Sequence, residues 1–151
     1  MRIRDKVKKP QRPVVAYEIL PPREKDGTLN SYAETISSLL SQTHIDAINI
    51  PEVHDAVGRG DRPVANQKRG EPREFGMLLQ DIVGIESIIN RVVVHEPYDR
   101  QMKWLEETYT KYEIENMIIV GGESSKVTYP GPTVNETLKA ITDKYLSLIH
   151  I

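Results

Sequence analysis

Four short apolar runs in this sequence each end in residues able to do chemistry. The run 14–20 carries Glu18 just before Ile19-Leu20-Pro21-Pro22, and the run 46–50 delivers Asn49 and then Pro51-Glu52. The run 88–95 ends in His95-Glu96, and 117–120 leads into Gly121-Gly122-Glu123-Ser124-Ser125. A glutamate inside an apolar strand, with Tyr17 and Ile19 pointing the other way, loses hydration if it faces an interior. Desolvation then favours the protonated form, which is what a general acid needs near neutral pH. An edge-facing or salt-bridged glutamate is the structural alternative. His95 suits a neutral hydrogen-bond partner for a cofactor, a proton carrier, or a buried structural histidine. Gly121-Gly122 lets backbone N–H groups approach a ring or a phosphate, or makes a simple turn.

Other candidates are weaker. Glu52, His54 and Asp55 lie close in sequence without a metal-ligand spacing, so no metal site is expected. Lys68, Arg69 and Arg73 suit a phosphate or a solvated loop. There is no G-x-G-x-x-G, no nucleophile-elbow pattern around Ser124-Ser125 and no legible Ser-His-Asp arrangement. The single tryptophan, Trp104, reads as partly buried packing.

The elements that must position these residues alternate regularly. After the first strand, Tyr32, Ile36, Leu39 and Leu40 form one stripe of a helix over 28–40, with Thr28 or Asn30 as its cap. Segment 52–72, rich in Gly, Pro and charge, is a long loop. A second helix over 73–83 turns Phe75, Leu78, Leu79 and Ile82 inward and stops at Gly84. The third strand is expected at 91–95. A third helix runs from a cap at Asp99 to Tyr112, with Met102, Leu105, Tyr109 and Tyr112 buried, and a fourth spans 133–144. The order βαβαβαβα, with near-continuous apolar strands, means a parallel sheet in an α/β fold. It fits either a complete doubly wound domain or a (β/α)8 TIM-barrel type truncated to about its first four βα units, since a whole barrel takes roughly 250 residues.

Composition bounds the rest. A chain of 151 residues, 38% hydrophobic, with a formal net charge of -2, fits one domain or part of a larger one. Near-neutral charge argues against a dedicated nucleic-acid binder, and no apolar run is long enough for a membrane span. With no cysteine, disulfides, thiolate metal sites and a cysteine nucleophile are excluded, which is compatible with a reducing cytoplasm. Residues 1–13 read as a basic, solvated tail, and 14–145 as the half-barrel. Residues 146–151, Leu-Ser-Leu-Ile-His-Ile, match one reading frame of a common transposase-derived sequencing adapter. They are expected to be a non-native tail on a truncated reading frame, so His150 is excluded as a ligand.

The strand ends resemble those of the methylenetetrahydrofolate reductase family, over residues 14 to about 143. Tyr17-Glu18-Ile19-Leu20-Pro21-Pro22 is similar to the family's opening strand, in which a glutamate precedes a hydrophobic pair and two prolines. Ile118-Ile119-Val120-Gly121-Gly122-Glu123 is similar to its fourth strand exit, and His95 falls where the family has a histidine near the flavin. The resemblance implies a FAD-containing (β/α)8 enzyme of cytoplasmic one-carbon metabolism and methionine biosynthesis. In such an enzyme NAD(P)H reduces the flavin, which reduces the methylene bridge of a folate to a methyl group. It implies Glu18 as the general acid, and His95, Val120, Gly121, Gly122, Glu123 and Thr133 as flavin contacts. The implied partner is a small pterin or folate, and a homo-oligomeric parent is compatible with it. The family commonly has Arg-Gly-Asp where this chain has Gly121-Gly122-Glu123, and a hydroxyl residue where this chain has Pro51. A flavin-free subunit that binds a pterin or methyl-carrier is the alternative.

Overall fold

The computed structural model describes residues 2–53, 68–122 and 125–144. Four parallel strands, β1 (Ala16–Glu18), β2 (Ala47–Ile50), β3 (Ser87–Val92) and β4 (Asn116–Val120), lie in the order β1-β2-β3-β4. The described helices are α1 (Ile3–Lys8), α2 (Leu29–Leu40), α3 (Pro72–Val83), α4 (Tyr98–Thr110) and α5 (Val134–Lys144). The fold is α/β with an all-parallel sheet, compatible with part of a βα-repeat architecture. The order reversal that marks a doubly wound sheet does not occur among these strands.

The register divides the sheet into two faces. Glu18, Asn49 and Ile88 occupy successive paired positions, as do Tyr17, Ile48 and Ser87 one step away. Ile48, Ile50 and Ile89 share the core with Phe75 and Leu79 of α3 and Ala33 and Leu40 of α2, all buried. The helices therefore cover the face opposite Glu18. Gly76 lets α3 settle onto this sheet. A Cβ there would come within 3.2 Å of the Cδ1 atoms of Ile50, Ile89 and Ile114. Local signals hold the helix ends: Thr28 Oγ1 accepts from Ser31 N–H, Glu71 caps α3 through Glu74 N–H, and Gly84 ends α3 at φ 70°.

Three expectations shift. The third strand lies earlier in the chain than 91–95, because Arg91 and Val92 are its last paired residues and 93–95 form a 3-10 turn. Its exit is fixed by Glu52, whose carboxylate accepts from Val92 N–H (2.9 Å) and pairs with the buried Arg91 guanidinium. In α4 the buried stripe is Gln101, Leu105 and Thr108, while Tyr109 is exposed. The reason is that Gln101 Oε1 accepts from Arg91 Nε (3.0 Å), and the Arg91 and Arg73 guanidiniums both stack over the Trp104 ring, at 4.4 and 4.5 Å from its centroid.

The third concerns the basic N-terminal segment, which stays largely exposed but is anchored at two points. Ile3 of α1 is buried against Ala47, Ile88 and Val14, on the face that carries Glu18 but at its N-terminal end. Asp46 secures the connection: it accepts from Val15 N–H (2.9 Å), from Arg12 through both oxygens (2.8 and 2.9 Å), and lies 3.0 Å from Lys6 Nζ. The Val15 N–H above all, then the Lys6 ammonium and the Arg12 guanidinium, hold its carboxyl well below the usual range. Residues 145–151 lie outside the described residues.

Candidate functional site

With α1 under one end and helices behind, the described elements leave the C-terminal part of the Glu18 face uncovered. By alternation along paired strands it carries Glu18, Asn49, Asn90, Ile118 and Val120. Ile118 and Val120 are 39% and 38% exposed, as an uncovered face requires.

Glu18 is the last residue of β1 and is exposed, so the burial that would favour its protonated form is not found on the described chain. Its carboxylate is nevertheless oriented. Asn49 Nδ2 donates to Glu18 Oε2 at 3.1 Å, and Ile19 N–H continues the ladder to Asn49 O at 2.9 Å. That bond fixes which end of the Asn49 amide faces Glu18, and its Oδ1 is left shielded without a partner. Asn90 Oδ1, two residues beyond Asn49's partner on β3, is shielded and unpartnered as well. A buried acceptor left unmade costs about 1–3 kcal/mol, so two on one face call for an explanation.

The second cluster lies at the exits of β3 and β4. His95 closes the 3-10 turn after β3 and meets Tyr129 edge-on, with ring centroids 5.5 Å apart. Tyr129 also lies on Gly122, where a Cβ would fall 2.3 Å from Tyr129 Cε2. The segment bearing Tyr129 is pinned across the β3 exit by Gly131, whose N–H donates to Val94 O at 2.9 Å. There is no room for a side chain at Gly131, since a Cβ would be 2.3 Å from Glu96 O and 2.5 Å from Val93 O. A Cβ at Gly121 would meet only Val134, at 3.3 Å. Thr133 caps α5 in a reciprocal pair with Glu136: Thr133 N–H donates to Glu136 Oε2 (2.8 Å) and Glu136 N–H to Thr133 Oγ1 (3.2 Å). The Thr133 N–H keeps the Glu136 carboxyl below its ordinary pKa.

The structure thus joins Glu18 to Asn49, and His95 to Gly122 through Tyr129. It does not join the two clusters. Glu18 is level with Asn116 on β4, and Val120 stands four residues further along, about 13 Å at the usual strand rise. Glu123, Ser124, His54 and Asp55 lie outside the described residues. Among the described residues no three His, Asp or Glu side chains converge as a metal site would need, and no helix is long and apolar enough to cross a membrane. A cleft of about 340 Å³ lined by Lys6, Lys9, Arg12 and Asp46 opens at the opposite end of the sheet, away from both clusters.

Asn90 and Tyr129 went unread in the sequence. Asn90 carries the same signal as Glu18, a polar residue inside an apolar strand. Tyr129 is followed by Pro130-Gly131-Pro132, a rigid turn whose landing place only the fold reveals. No model of a known protein family matches the chain, and no curated protein matches it.

In chemical terms the open face presents the Glu18 carboxylate and apolar Ile118 and Val120, with the Asn49 and Asn90 amide oxygens shielded beneath it.

Proposed function

We propose that this chain is the first half of a (β/α)8 barrel. Its parent would be a flavin-dependent, methylenetetrahydrofolate reductase-like oxidoreductase that reduces 5,10-methylenetetrahydrofolate to 5-methyltetrahydrofolate with NAD(P)H. Three features support the barrel: a strand order without reversal, helices on the outer face, and α1 under one end of the inner one. The observation that carries the activity is Glu18, held by Asn49 at the carboxyl end of β1 on the inner face. There it would protonate the nitrogen released as the methylene bridge opens to an iminium, and Asn49 would keep its carboxyl aimed. Four βα units leave the inner face open, so the chain alone is expected to be inactive.

A flat ring fits the upper part of this face: Val120 and Ile118 are exposed, and Gly121 projects no side chain. His95, Val120, Gly121 and Gly122 would line FAD, with Thr133 beyond them and Tyr129 as a further wall. The chemistry FAD supplies when bound is the relay of hydride from nicotinamide to folate. The test is purification of the full-length parent. It should be yellow and should oxidise NADH or NADPH with an electron acceptor; a colourless protein that transfers no hydride in a folate assay overturns the reading.

One observation favours a second reading, a flavin-free subunit that binds a pterin or methyl-carrier. The Tyr129 ring already occupies the space against Gly122. Tight pterin binding by a flavin-free parent, without hydride transfer, is its signature.

A further inference from the structure

We propose that the cleft at the N-terminal end of the sheet binds a small phosphate-type anion, with Lys6, Lys9 and Arg12 as its donors. The proposal takes nothing from the reading of Glu18, which lies at the other end of the strands. The cleft holds about 340 Å³, room for a phosphate monoester with a compact organic body. Its floor is Asp46, whose side chain is only 2% exposed. Lys6 Nζ (3.0 Å) and Arg12 Nη2 (2.8 Å) share Asp46 Oδ1, and Arg12 Nη1 and the Val15 N–H, both at 2.9 Å, share Oδ2. One buried carboxylate therefore holds two cations side by side, and the group stays net positive. Lys9, three residues on from Lys6, lines the same cleft and has no carboxylate partner among the described residues. Asp5, the acid beside Lys6 in sequence, lies 3.9 Å from Arg4 and is not part of the lining.

The lining selects the ligand. Four donors fill the acceptor sites of Asp46, so a cationic ligand would meet like charge and no open acceptor on that carboxylate. What stays open is a set of N–H groups on two ammoniums and a guanidinium, which make charge-assisted bonds to phosphate oxygens. Lys6 and Arg12 repel each other across Asp46, and an anion on their open side offsets that repulsion. Because Asp46 already orders both side chains, less freedom is lost when the anion binds. Pro10 and Pro13 supply a stiff apolar wall for the organic part of a monoester.

The test titrates the ¹⁵N-labelled 151-residue chain with phenyl phosphate and with inorganic phosphate, at low and constant ionic strength, and follows backbone amide resonances. Phenyl phosphate should shift Lys6, Lys9, Gln11, Arg12 and Val15 saturably and with one shared dissociation constant. Phenol, the same ring without the charge, should leave them in place. K9Q should weaken binding roughly threefold or more and K9E roughly tenfold or more, while K9R retains it. Lys9 holds no ion pair among the described residues, so Tm should stay unchanged in all three variants. Inorganic phosphate separates the two ligand sources: equal affinity assigns the site to the free ion, and tighter binding of phenyl phosphate assigns it to an organic phosphate. Three results overturn the proposal: no saturable shift with either phosphate, shifts of equal size at distant lysines such as Lys103 and Lys139, or unchanged affinity in K9E. Flavin and folate take no part, so the reductase assay of the parent stands or falls separately.

Discussion

Asn49 and Glu18 stand on directly paired positions of β2 and β1, and the amide of one donates to the carboxylate of the other at 3.1 Å. Both the alternation of the strands and the pairing register are needed to place them so. Because Glu18 is exposed and makes this single bond among the described residues, E18Q should leave stability within about 0.5 kcal/mol in urea unfolding. In the full-length parent the same variant should lose folate reduction by roughly 10²- to 10⁴-fold while the reduction of flavin by nicotinamide persists. Equal loss of both half-reactions would remove Glu18 from the role of acid.

The Asp46 clamp predicts an acid-sensitive N-terminus. Its carboxyl is depressed in the folded chain, so the contribution is fully present above the unfolded value of about 3.9 and is lost as pH falls below it. Tm should therefore fall as pH drops from about 5 towards 2, and D46N should lower Tm near neutrality and flatten that acid limb. An unchanged acid limb in D46N would mean that other carboxylates govern it.

Gly131 and Gly122 predict different outcomes for the same substitution. At Gly131 a Cβ meets fixed backbone at 2.3 and 2.5 Å, so Gly131→Ala should destabilise by about 1–3 kcal/mol by denaturant titration. At Gly122 the obstacle is the Tyr129 ring, which can move. Gly122→Ala should cost less and should instead change the His95 ring resonances, because Tyr129 is the edge partner of that ring.

The sheet predicts association. Among the described residues β1 and β4 each pair on one side only, and Ile118 and Val120 are exposed on the inner face. Free strand edges and apolar patches recruit partners. Residues 1–145 should elute as dimers or larger species in size-exclusion chromatography. A cooperatively folded monomer would favour a complete small domain over half of a barrel.

The sequence by itself determined the alternation of strand and helix, the parallel sheet, the caps at Thr28 and Gly84, and the strand ends at which polar residues gather. These rest on periodicity and backbone chemistry, which act within a few residues. It also put Glu18 on the face opposite Ile19, because side chains alternate along any strand. Tertiary structure alone decided what lies on each side of that alternation. Asp46 and buried Ile3 turn a basic segment into a floor, Glu52 and Arg91 end β3 before the apolar residues run out, and Gln101 rotates the buried stripe of α4. Tyr129 reaches His95 and Gly122 only because Gly131 fits against the backbone of the β3 exit. Each of these depends on partners many residues apart, whose meeting is set by packing and charge pairing that no local pattern records.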